Sequence, residues 1–232
     1  MLLNTALALA FLAVFSDASP VSQPFLGARW KDGFGNRTVA AASNTLSYKG
    51  GPLLANIVVK PLYWSSSVKF NYDAFYTQSV TGTSSAPSPF LAIITEYSVP
   101  AYTLGGGSSS AGIVNTAGVS SGTVTVTSVE AYIKSLVSAG TLDPSGGSLY
   151  VPVHFAPSVT IKEDTGLGLG NSCSSWCAYH YSVNTSKGWV YYAIMPDVSA
   201  GGCANGCGTG TPFANNCDAS SHELAEVTTI DA

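Results

Sequence analysis

Apolar and polar residues follow two rhythms along this chain, and each switch between them marks an element. Short runs rich in Val, Ile, Tyr and Trp read as strands: Ile57 to Trp64, "SLYVPVHF" over 148–155, and the pair "CAYHYSV" and "GWVYYAIMP". The last two flank "NTSK" as a β-hairpin, with Gly188 free to adopt positive φ. Pro61 has no N–H to give a ladder, which predicts an edge strand or a bulge at that point. Helical spacing appears over 71–80, over 89–98 through Phe90, Ile93, Ile94 and Tyr97, and over 127–138 through Val129, Tyr132, Ile133, Leu136 and Val137. Thr127 with Glu130 forms a capping box for the third of these, and Gly140 is its stop. A final helix begins at Ser220 or Ser221. "LGGGSSSAG" (104–112) reads as a flexible loop, since no Lys-Ser/Thr follows to make it a phosphate loop. Residues 197–219 read as a loop dense in Gly and Cys. The pattern predicts one α/β, or α+β, domain over 48–232, preceded by an irregular polar segment over 19–47.

The first residues change the picture of compartment. Ala6 to Phe15 is an apolar run too short to span a bilayer, which takes roughly 20 residues. Small residues at Ser16 and Ala18 follow it, so residues 1–18 read as a signal peptide and the protein as secreted, extracellular or in the cell wall. No later run has membrane length. Only 9% of residues are charged, and the net charge of −4 becomes −3 once Asp17 leaves with the signal, giving no basic stripe for nucleic acid. Sequons at Asn36 and Asn184 fit a glycoprotein. Behind a signal peptide, Cys173, Cys177, Cys203, Cys207 and Cys217 read as disulfide formers. Closure within each C-x3-C and cross-linking between the two are both open. The odd Cys217 implies a partner beyond residue 232 and hence a truncated chain.

Candidate chemistry concentrates in "SSHELAE". On a helix His222 and Glu226 share a face and can grip one metal ion, while Glu223 stands where a zinc hydrolase keeps its general base. The same letters also fit a plain helix start, with Ser220 and Glu223 as a capping box and Glu226 in solvent. His180 on the hairpin, His154 near a strand end and Asp231 are further candidate ligands; each histidine also fits a half-buried hydrogen-bonded residue. No Ser lies in G-x-S-x-G.

"YKGGPLLANIVVKPLYW", "YVPVHF", "C-x3-CAYH", "WVYYAIMPD", "GGCANGCG" and "SSHELAEVTT", in this order over about residues 48–230, resemble a family of secreted fungal and bacterial proteins. Those proteins distantly resemble the plant EXORDIUM, or phosphate-induced protein 1, family. The resemblance implies a mixed sheet with an edge hairpin and a zincin-like terminal helix, matched here at His222, Glu223, Leu224, Glu226 and Thr229. The family's following Asp-Pro is not matched, since Ile230 precedes Asp231. Two functions follow as expectations. One is a zinc-dependent, peptidase-like hydrolase with Glu223 as base, His222 and Glu226 as ligands, and His180 or Asp231 completing the shell. The other is a non-catalytic cell-wall or apoplastic protein that binds glycans, for which twelve Tyr and four Trp supply stacking faces.

Overall fold

The computed structural model describes residues 28–30, 48, 50–204 and 206–229. Expectations for the signal peptide, Asn36 and Asp231 lie outside the described residues. Within the segment read as irregular, β1 (Ala28–Trp30) is a strand. Then follow β2 (Asn56–Val59), β3 (Leu62–Tyr63), α1 (Asp73–Val80), α2 (Pro89–Ile94), β4 (Gly106–Ser109), β5 (Ile113–Val114), β6 (Ser121–Thr125) and α3 (Val126–Ser138). The chain continues through β7 (Leu149–His154), β8 (Ser158–Lys162), β9 (Trp176–Thr185), β10 (Gly188–Met195) and α4 (Pro212–Thr228). Eight strands form one mixed sheet in the order β1-β9-β10-β7-β2-β4, with β3 paired to β7 and β5. The β1-β9-β10 end is antiparallel, and every other pairing in it is parallel. β6 and β8 make a separate parallel pair.

Both faces of the sheet are covered. One packs against α1, α2 and α4 through Tyr76, Val80, Leu91, Ile94, Leu224 and Val227. The other packs against α3 and the β6–β8 pair through Val129, Ile133, Val137, Val159 and Ile161. This accounts for β7, whose six residues are all buried, as a central parallel strand must be. The expected single α/β domain with a mixed sheet is thus present.

Two prolines shape the centre of the sheet. Pro61 does not mark an edge: it splits one strand into β2 and β3, both flanking β7. Lys60 N–H donates to the Tyr150 carbonyl and Trp64 N–H to the His154 carbonyl, so Pro152, midway between them, turns its missing N–H toward that break.

The stretch 104–112, expected as a loop, contains β4. Its glycines serve close approach: a Cβ on Gly107 would lie 2.8 Å from the Val80 carbonyl oxygen and 2.9 Å from Ile57 Cγ2. The end of α1 rests directly on the strand backbone. In α2 the buried residues are Leu91 and Ile94, while Ile93 is 70% exposed, so the expected stripe is rotated. α3 is capped by Thr125, which accepts from Ser128 N–H, rather than by Thr127; Glu130 instead accepts from Tyr192 OH at 2.8 Å. Gly140, at φ +76°, ends that helix as expected.

The largest departure is α4, which starts at Pro212 and not at Ser220. Thr211 caps it by accepting from Ala214 N–H, and Pro212 fills the first helical position, where a missing N–H costs nothing. Disulfides Cys173–Cys203 and Cys177–Cys207 cross-link the two C-x3-C segments, tying the start of β9 to the approach to α4. Cys217 is a free thiol on α4.

Gly107→Ala should cost about 1–3 kcal/mol in urea unfolding, because neither the Val80 carbonyl nor β2 can retreat. Gly146→Ala, with nothing within 4 Å, should stay within about 0.5 kcal/mol. Equal effects would show that the α1–β4 contact is not close-packed.

Candidate metal centre

With α4 beginning at Thr211, the "SSHELAE" residues lie in mid-helix, and neither Ser220 nor Glu223 can cap it. Ser220 Oγ donates back to the Asn216 carbonyl at 2.8 Å. Glu223 faces the sheet, where its Oε2 and His180 Nδ1 share a hydrogen bond of 2.8 Å. His180 reaches that position from β9, two residues past Ala178 on the same face and paired with Ala193 of β10. Both side chains are fully buried.

One helical turn on, Glu226 Oε2 lies 3.5 Å from His180 Nδ1, and Glu226 Oε1 lies 3.3 Å from His222 Nε2. The ligand atoms of His180, Glu223 and Glu226 all lie within 4.8 Å of one another, so this group can hold a metal ion. Zinc bonds of about 2.0–2.1 Å in tetrahedral array place neighbouring donors roughly 3.3 Å apart. The His180–Glu226 and His222–Glu226 separations match that spacing, whereas the His180–Glu223 contact is the length of a hydrogen bond.

The donor atoms themselves supply the test of fit. His180 Nε2, Glu223 Oε1 and Glu226 Oε2 are buried without a hydrogen-bond partner among the described residues. Leaving such an atom unsatisfied costs about 1–3 kcal/mol. The unsatisfied oxygens of Glu223 and Glu226, on the two carboxylates that meet His180 Nδ1, have the donor set of a cation site. Burial raises the Glu223 carboxyl above its ordinary range, with His180 and His222 pulling it partly back. His222 and Glu226 are 38% and 37% exposed as side chains, while Glu226 Oε2 is itself buried, so the group lies just under the surface. Tyr150 OH, buried on the same sheet face and without a hydrogen-bond partner among the described residues, lies in the field of Glu223 and Glu226. Sequence reasoning passed over Tyr150, which gave no signal beyond its place in an apolar run.

The remaining candidates go elsewhere. His154 ends β7 in an aromatic cluster, its Nε2 3.1 Å from Tyr76 OH and its ring stacked 3.9 Å from that of Tyr72. It takes no part in the metal group, and burial pushes its pKa down to about 3, keeping it neutral. Cys217 is no nucleophile, since burial pushes its thiol up to about 11. Asn184 is exposed at the hairpin end, as a glycosylation acceptor must be. No helix among the described residues is long and apolar enough to cross a membrane. Compared with protein-family models, curated proteins and solved structures, the chain matches none.

A buried neutral histidine makes a prediction with a definite sign. His154 binds its proton at about pH 3 when folded and near 6.5 when unfolded, so the unfolded chain binds the extra proton between those values. Stability from this residue is full above about pH 6.5 and falls with pH by up to about 1.4 kcal/mol per unit. His154→Gln should flatten the loss of stability between pH 6 and pH 4, read from urea midpoints. An unchanged slope would place the acid sensitivity elsewhere.

Proposed function

We propose that this is a secreted, disulfide-bonded glycoprotein that binds zinc between β9 and α4 and uses it to hydrolyse peptide-like bonds. The observation that carries the reading is the convergence of His180, Glu223 and Glu226, whose donor atoms lie within 4.8 Å although they come from two elements 43 or more residues apart. A mixed imidazole and carboxylate set suits zinc among the divalent cations. The reading rests on that geometry rather than on kinship, and the resemblance to secreted His-Glu-x-x-Glu proteins points the same way. The apolar leader and the two disulfides support export.

The chain's own residues divide the work. His180 and Glu226 hold the ion, and His222 steadies the second Glu226 oxygen. When bound, zinc lowers the pKa of a coordinated water to about 7 and polarises a carbonyl. Glu223 accepts the proton of the attacking water on Oε1, the oxygen not held by His180. Its raised pKa lets it pass that proton to the departing amine. Burial of Glu223 and His180 excludes bulk water from the back of the site, while Glu226 and His222 meet the substrate side.

One observation favours a second reading. His180 and Glu223 are buried completely, so their bond alone can pin α4 to the sheet in a non-catalytic protein of the cell wall or apoplast.

Metal content by mass spectrometry, beside turnover of a fluorogenic peptide library, separates the two. The wild type should carry about one zinc per chain, lost in His180→Ala and in Glu226→Ala. Glu223→Gln should keep zinc and lose about 10²–10⁴ in turnover if it is the base. A folded wild type without zinc would overturn the metal reading. Loss of zinc in Glu223→Gln would make Glu223 a ligand rather than the base.

A further inference from the structure

A second site lies on the other half of the sheet and does not depend on the zinc reading. Beyond the C-terminal end of β3 and beside β5 is a cavity of about 350 Å³, lined by Tyr63, Lys69, Phe70, Asn71, Asp73 and Gly112 among others. Its place follows from topology. β3 hands the chain to α1 on one face of the sheet, whereas its parallel neighbour β5 hands it, through β6, to α3 on the opposite face. The cavity follows the carboxyl end of β3, the end of a parallel strand at which α/β proteins bind ligands. The volume falls within the roughly 300–1,000 Å³ of small-molecule sites.

The lining is rigidly organised. Tyr63 OH donates to Asp73 Oδ1 at 2.7 Å and accepts from Tyr72 N–H at 2.8 Å. Gly112 N–H donates to the same Asp73 Oδ1 at 3.0 Å, joining the start of α1 to the entry of β5. Asn71 Oδ1 accepts from Asp73 N–H at 2.8 Å. A Cβ on Gly112 would fall 2.3 Å from the Tyr63 ring and 3.0 Å from Asp73 Oδ1, so only glycine lets the chain entering β5 pass this close to Tyr63 and Asp73. Among the described residues, both hydrogen bonds of Asp73 fall on Oδ1, which leaves Oδ2 as an acceptor. The Asn71 amide NH₂ and the Lys69 ammonium are donors at the same mouth, and Lys69 lies 5.1 Å over the Phe70 ring.

We propose that this crevice binds the end of a neutral saccharide. The one carboxylate and one ammonium of the lining cancel, which disfavours a strongly charged ligand. Fixed acceptor and donor groups beside an aromatic ring match the alternating hydroxyls and apolar C–H face of a sugar. Its small volume suits a chain terminus or a disaccharide.

The test titrates the ¹⁵N-labelled full-length chain with cellobiose, N,N′-diacetylchitobiose and mannobiose in turn, following backbone amides. At least one disaccharide should give saturable shifts centred on Phe70, Asn71 and Gly112. Phe70→Ala should weaken binding about tenfold. Lys69→Ala, an exposed change that keeps the fold should Phe70→Ala not, should weaken it about threefold to fivefold. No saturable shift with any of the three, shifts centred elsewhere, or equal affinity in Lys69→Ala would overturn the proposal.

Discussion

The bond between His180 and Glu223 is where packing and chemistry meet in this protein. A carboxyl taken wholly out of water is expensive, and it stays in the core only where a partner meets it at the right place. α4 carries two such obligations on its buried face. Asn216 accepts from Val198 N–H and donates to Asp197, and Glu223 meets His180. A helix buried only through Leu224 and Val227 could turn or slide at modest cost. Two polar anchors on one stripe permit a single register, because any other leaves several buried groups unpaired. The disulfides act on the same degree of freedom, fixing the approach to α4 against the start of β9, a few residues from His180.

This polar stripe also explains what the sequence hid. Asn216, Ala219, Ser220, Glu223, Leu224, Val227 and Thr228 are all buried and keep perfect helical spacing. Only three of the seven are apolar, so a search for hydrophobic periodicity finds the last two turns and misses the first. The start signal, Thr211-Pro212, was present but lay in a Gly- and Cys-rich context that reads as loop. β4 was missed for the converse reason. Its Gly-Gly-Ser-Ser has no strand propensity, and it is a strand because α1 and β2 close on a backbone without side chains. Where apolar pattern and burial coincide, as in β7, α3 and the β9–β10 hairpin, the elements were legible. His222, Glu223 and Glu226 were legible as a group because helical spacing alone places them near one another. His180 was legible only as a candidate, since no local rule brings β9 under α4.

The sheet divides into an antiparallel end and a parallel end, and each generates one candidate site by a different route. At the antiparallel end, the β9–β10 hairpin presents an even face to one long helix, so side chains from strand and helix interleave in a fixed array. That geometry favours point chemistry such as cation binding. At the parallel end the loop that follows β3 turns back beside β5, leaving a crevice lined by backbone groups, aromatic rings and polar side chains. That geometry favours shape recognition. His154 stands between them, at the end of β7 and against Tyr72 and Tyr76, and its neutrality is a condition of the packing there rather than a tool.

The partition of exposure within the His–Glu group has a chemical consequence. Were all four side chains exposed, water would satisfy them and a cation would gain little by binding. Were all four buried, no ion could enter. Instead His180 and Glu223 lie behind, in the low-dielectric space between helix and sheet, where a positive charge offsets the cost of keeping carboxyl oxygens without hydrogen bonds. Glu226 and His222 lie in front, one helical turn apart, at the water boundary. A cation drawn inward by the first pair is thereby held where only the second pair separates it from solvent. Access from one side and confinement from the other follow from the phase of a single helix: residue 223 points inward, while 222 and 226 flank it.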